Sequence, residues 1–168
     1  PRICDRIFKH WKAAGKQTKE LIWKRLELAL IAGRRTLARY LVRSLPSADQ
    51  KLARLWIKLH RKPQLFAKYQ HHIIASKHAM MPNLVSNIIK RIARKSPQTA
   101  AEYWLAIRAK LSIDKEKHYA MLQTLAIAQA RKQRPGAETW FSIIPDRYLT
   151  DVAREWRIRS ALRQSQWS

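Results

Sequence analysis

The stretch Val85-Ser86-Asn87-Ile88-Ile89-Lys90-Arg91-Ile92-Ala93-Arg94-Lys95 decides the fold class. Val85, Ile88, Ile89 and Ile92 recur at i, i+3, i+4 and i+7. That spacing lines one side of a helix turning roughly 100° per residue. Lys90, Arg91, Arg94 and Lys95 fall on the side nearly opposite. A helix divided in this way must bury its apolar side against a neighbour and leave its cations outside. The same spacing recurs in both directions from here. Leu52, Leu55, Trp56 and Leu59 repeat it, and Leu37, Tyr40, Leu41 and Leu45 make a similar stripe. Trp104, Ile107 and Leu111 form a shorter one, and Leu149, Val152 and Trp156 another. No stretch shows a convincing period of two, the mark of a half-buried strand.

Breaks punctuate the stripes at Gly15, Gly33, Pro46, Pro63, Pro82, Pro97, Ser112 to Asp114, Pro135 and Pro145. Most intervals hold one helix of about three or four turns and a short connection. Short connections favour antiparallel neighbours. Ser47, Ser96 and Asp114 are the expected N-caps, with Pro97 at a first helical position and Gly33 as a left-handed stop. The expected fold is all-α, with about ten helices in antiparallel pairs stacked as an α-superhelix, or solenoid. A single domain over residues 1-168 is the expected organisation.

Composition limits the function. The chain has 168 residues, and seven Trp, five Tyr and three Phe supply enough apolar bulk for a packed core. The longest obvious apolar run, Leu28-Ala29-Leu30-Ile31-Ala32, is far too short to span a bilayer. Thirty-five Lys and Arg against eleven Asp and Glu give a formal charge of +24. A field of that sign attracts polyanions, whether nucleic acid, an anionic lipid surface or an acidic cell-wall polymer. The chain opens at Pro1 with neither an initiator Met nor a signal peptide, so it reads as a piece of a longer protein.

No reaction centre emerges from the residues. The three glycines, at 15, 33 and 136, are too far apart for GxGxxG, GxxxxGK or GxSxG, and HExxH and CxxC are absent. His71 and His78 would share a face only if one helix ran through both, and no Asp, Glu or Cys lies nearby to complete a metal site. No metal, cofactor or catalytic residue is expected. Glu20 beside Lys24, and Glu116 between Lys115 and Lys117, have the pattern of solvated helix charges. Lys90, Arg91, Arg94 and Lys95 are the best-defined candidate for polyanion contact, although a solvated outer face has the same pattern. Arg154, Arg157, Arg159 and Arg163 form a second basic cluster, spread around its helix. Trp56, Trp104 and Trp156 sit in apolar stripes and are expected in the core, whereas Trp11, Trp23, Trp140 and Trp167 are undetermined. Cys4 is equally open between a buried free thiol and a disulfide to a residue outside this piece.

A family likeness is carried by particular residues. Cys4-Asp5-Arg6-Ile7-Phe8-Lys9-His10-Trp11-Lys12-Ala13-Ala14-Gly15 resembles the CDxxFxxWxxxG segment of soluble lytic murein transglycosylases, in their superhelical region before the catalytic domain. Residues 25–46 and 53–65 are similar to helical stretches that follow there. Glu155-Trp156-Arg157-Ile158-Arg159-Ser160-Ala161-Leu162, followed by Trp167, resembles the EWRxRxALxxxxW segment leading into the family's linker. The likeness covers nearly the whole chain. Its first and last segments are the specific ones.

The resemblance implies a periplasmic parent enzyme of peptidoglycan turnover. Such enzymes cleave the β-1,4 bond between N-acetylmuramic acid and N-acetylglucosamine and leave a 1,6-anhydro end, using one Glu as acid and then base. That Glu belongs to a C-terminal lysozyme-like domain and is followed by Ser. No Glu here is followed by Ser, and GLMQ and AYNAG are absent, so no catalytic residue carries over. The implied role is a non-catalytic helical scaffold whose partners are peptidoglycan and its own catalytic domain. An upstream partner for Cys4 also fits the resemblance. The competing expectations are a basic helical repeat that binds nucleic acid and one that docks an acidic protein. No recognised nucleic-acid motif supports the former.

Overall fold

The computed structural model describes residues 10, 17–111, 113–134 and 136–163. Cys4 and its segment, Gly15, Ser112, Pro135 and Trp167 lie outside the described residues. Among the described residues, nine α-helices and two 3-10 turns account for the architecture, with no strand. In chain order the helices are α1 (Lys19–Ile31), α2 (Arg35–Arg43), α3 (Ser47–Arg61), α4 (Phe66–Ala75), α5 (Met81–Ala93), α6 (Pro97–Arg108), α7 (Lys115–Arg131), α8 (Ala137–Ser142) and α9 (Asp151–Arg163). None is long and apolar enough to cross a membrane. The chain divides into two compact units, Pro1–Arg61 and Lys62–Ser168.

In the first unit, α1 packs on α2 and α2 on α3. Thr18 caps α1, its hydroxyl accepting from the Leu21 N–H at 3.3 Å. Gly33 ends the helix at φ +70°, and the Arg34 N–H reaches back to the Ala29 carbonyl at 2.7 Å. This is the left-handed stop expected of Gly33, closed by a bond across six residues. α2 turns a different side inward from the one its large residues suggest. Ala38, Leu41, Val42 and Leu45 are buried, whereas Leu37 and Tyr40 are exposed, Tyr40 by 58%. The buried set keeps the i, i+3, i+4, i+7 spacing. The small Ala38 lets backbones approach closely, a fit the Tyr40 ring would prevent.

Trp23 and Trp56 form the centre of this unit, stacked with centroids 6.1 Å apart. The indole N–H of Trp23 donates to Asp49 Oδ2 at 3.3 Å, and Lys19 Nζ lies 3.0 Å from the same oxygen. Asp49 is only 5% exposed, so these donors replace lost water. Ser47 is the first residue of α3, and the Pro46 carbonyl accepts from the N–H groups of Asp49 and Gln50.

The second unit is built around α5. Val85, Ile88, Ile89 and Ile92 are all buried, together with Met81, Leu84 and Ala93. α6 covers α5 with Ala100, Ala101, Trp104 and Ile107, and α7 packs on both helices. Ser96 and Pro97 begin α6 where expected, but the Ser96 side chain makes no capping bond. Asp114 does cap α7, accepting from the Lys117 N–H at 2.7 Å. Two buried amides tie the helices together. Gln129 donates to Gln98 at 3.1 Å, and Gln123 accepts from the Thr150 N–H at 2.8 Å.

α9 departs from its expected stripe. Leu149 is buried, but Val152 is 51% exposed and Trp156 only half-buried. The fully buried positions of α9 are Ala153 and Ser160, small residues that seat this helix closely on α7 and α8. His71 and His78 do not share a helix, because α4 ends at Ala75.

α7 ends with the same hydrogen-bond pattern as α1, the Arg134 N–H reaching the Gln129 carbonyl, but Gln133 takes the left-handed position at φ +52°. A Cβ is strained there. Gln133→Gly is expected to stabilise the fold by about 0.5–1 kcal/mol, the strain relieved less the added freedom of the unfolded chain; urea denaturation of both proteins checks it. Asp49→Ala is expected to cost about 1–3 kcal/mol, since it removes the buried carboxylate that accepts from the Trp23 N–H. A midpoint unchanged in the same titration would refute that role.

Candidate functional site

Two helix faces meet at a cationic concavity of the second unit. α5 presents Lys90, Ala93 and Arg94 at i, i+3 and i+4, the side turned away from its buried isoleucines. α7 presents Thr124, Ile127, Ala128 and Arg131 at i, i+3, i+4 and i+7, followed by Lys132. Together they enclose a cleft of about 500 Å³. Its floor is aliphatic and its rim carries four cations. No carboxylate lines it.

The cations differ in how they are held. Lys132 Nζ donates to the Lys95 carbonyl just past the end of α5, where a positive charge complements the helix dipole. Arg131 lies over the Trp156 ring, 5.3 Å from its centroid, and Arg159 lies 5.2 Å from the same ring. Such contacts orient a guanidinium without neutralising it. Arg163 donates to the Ala130 carbonyl at 3.2 Å and ties α9 to the last turn of α7. Lys90 and Arg94 are exposed at the rim. The Thr124 hydroxyl donates to the Ala120 carbonyl at 2.9 Å, leaving its oxygen lone pairs to accept.

The patch expected from the sequence is thus divided. Lys90 and Arg94 line the cleft, Lys95 contributes its carbonyl as the acceptor for Lys132, and the half-buried Arg91 is not a lining residue. The second basic cluster also splits. Arg159 flanks Trp156 and Arg163 binds Ala130, whereas Arg154 and Arg157 engage Asp151 and Asp146 elsewhere. Arg131, Lys132 and the aliphatic floor were not expected from sequence. The signal for them was the spacing from Thr124 to Arg131, but nothing local says that this face opposes Lys90.

The cleft's lining is cationic and aliphatic, without carboxylate or imidazole. Among the described residues no group of three or more His, Cys, Asp or Glu side chains could hold a metal. Glu20, Glu102, Glu116 and Glu155 are exposed. Glu20 has its carboxyl held below the usual value by a backbone hydrogen bond and by Thr18, which suits a helix-terminal charge and not a proton donor.

No protein-family model matches the chain, and no curated protein matches it by sequence. A solved structure does match: an inactive mutant of the lytic transglycosylase Slt from Pseudomonas aeruginosa, with a TM-score of 0.88 at 24% identity. The match covers 99% of this chain and 27% of that one. The fold is therefore that of a helical piece of this larger enzyme, the likeness that the Cys4 and Trp156 segments suggested.

His118 marks a pH-sensitive joint beside α6. Trp104 Nε1–H donates to its Nδ1 at 3.2 Å, and the Arg108 guanidinium stands 2.7 Å from its Nε2. Burial first, and then Arg108, lower the imidazole pKa. The unfolded chain therefore binds the extra proton more readily. Stability from this group is complete above the ordinary value near 6.5 and is lost as pH falls through the depressed folded value. The melting temperature is expected to fall on acidification across that window, and to fall less in His118→Gln. Parallel melting curves for the two proteins would refute the assignment.

Proposed function

We propose that this chain is a non-catalytic helical scaffold of a periplasmic lytic transglycosylase, an enzyme that cleaves peptidoglycan glycan strands to 1,6-anhydro-muropeptides. The observation that carries the reading is the structural likeness over 99% of the chain. The chain spans 27% of that enzyme's length, which leaves room for a catalytic domain elsewhere. In this reading the lysozyme-like domain follows on the C-terminal side, and the helices stack in antiparallel pairs as part of a superhelical body. The lack of any Glu-Ser pair in the chain agrees with a scaffold role.

The basic cleft supports a second part of the role, guidance of the polymer. Peptidoglycan carries free carboxylates on its stem peptides, and Lys90, Arg94, Arg131 and Lys132 offer them charge-assisted hydrogen bonds. Exposed contacts of this kind are individually weak and screened by salt, which suits a polymer that must move past. Holding a strand near the catalytic domain raises its effective concentration there. The charge of +24 favours nucleic acid as the alternative ligand, since phosphate neutralisation drives such binding.

Co-sedimentation with purified sacculi over a salt series, with duplex DNA as competitor, separates the two. Retention that salt weakens and DNA displaces poorly is expected. Lys90→Gln with Arg94→Gln is expected to weaken retention roughly two- to tenfold with unchanged helicity. Loss of the protein to DNA at modest salt would favour the nucleic-acid reading.

A further inference from the structure

A second concavity in the same unit has a different chemistry. It measures about 790 Å³ and lies between α8, the turn at Asp146–Tyr148 and α9. Leu149, Ile158 and Ala161 give it an aliphatic wall, and Ile158 is 61% exposed there. Around that wall stand charges of both signs: Glu138 and Asp146 against Arg154 and Arg157.

These charges are unequally satisfied. Arg154 is committed to Asp151 at 2.9 Å and to the Asp146 carbonyl at 3.1 Å. Arg157 makes one long contact, 3.3 Å to Asp146 Oδ1, and retains most of its five donors. Glu138 is the outlier. Its Oε1 is buried with no hydrogen-bond partner, and no cation pairs with its carboxylate among the described residues, although two guanidinium groups line the same concavity. A half-buried carboxylate left in that state gains more than an exposed one from an arriving cation. The under-used Arg157 gains similarly from an arriving carboxylate.

From this arrangement we infer that the concavity is a binding site for a zwitterion, an ammonium group and a carboxylate joined by a short aliphatic chain. The ammonium pairs with Glu138 after a rotation of its carboxyl group, the carboxylate is received by Arg157, and the aliphatic chain lies on Leu149, Ile158 and Ala161. The like-charged cleft between α5 and α7 has no such selectivity, because no carboxylate lines it to pair with the ammonium end.

Isothermal titration of the full chain with three probes tests this. 6-Aminohexanoate carries both charges, hexanoate only the carboxylate and hexylamine only the ammonium. 6-Aminohexanoate is expected to bind about ten- to a hundredfold more tightly than either. Glu138→Gln is expected to erase that preference with helicity intact, and Arg94→Gln in the other cleft to leave it unchanged. Equal binding of hexanoate, or a preference that survives Glu138→Gln, would overturn the assignment. The three-probe comparison on the unaltered chain stands even if a variant fails to fold. A tripeptide ending in lysine distinguishes the sources: binding as tight as 6-aminohexanoate marks a peptide-borne group, and weaker binding a free amino acid. Retention on sacculi depends on neither result, so this site and the scaffold reading can fail separately.

Discussion

The burial of one face of α5 governs the second unit. Val85, Ile88, Ile89 and Ile92 are too apolar to stand in water, and α6 and α7 exist as packed elements because they cover them. Once that face is inward, helix geometry leaves Lys90 and Arg94 no place but the opposite side. The basic cleft follows from the core. Its aliphatic floor follows as well, since Ala93 and Ala128 are small enough for the two helices to approach closely while their long cationic side chains stay at the rim.

The first unit answers the same constraint with aromatic residues. Trp23 on Trp56 fills the interhelical space, and the polar edge of Trp23 demands an acceptor. Asp49 supplies it and is compensated by Lys19. Asp49 thus serves the packing of this unit. Three exposed carboxylates close short helical ion pairs, Asp114 with Lys117, Asp151 with Arg154 and Glu155 with Arg159. The Lys and Arg excess therefore stays largely without acidic partners, which is why a cleft with four cations and no acid can form.

The helical character, most helix limits and the buried stripe of α5 were legible in the sequence because they depend on contacts within one or two turns. Gly33 and Asp114 do what their chemistry at those positions dictates. Side-chain size misled at α2, where Ala38 goes in and Tyr40 stays out, and at α9, where Ala153 and Ser160 seat the helix and Val152 does not. Close helix packing rewards small residues, and hydrophobic spacing weighted by bulk undervalues them.

What the sequence alone determined is therefore the class of fold and the cationic character. Those rest on composition and local periodicity. Only the tertiary structure decided which cations lie together. Lys90 and Arg131 are far apart along the chain and meet because α5 and α7 pack on each other. Arg159 was grouped with Arg154 by sequence, yet it turns to Trp156 while Arg154 turns to Asp151. Likewise Glu138 comes to share a wall with Arg157 through the packing of α8 on α9. Such juxtapositions arise from the docking of separate helices, and no spacing within one helix encodes them.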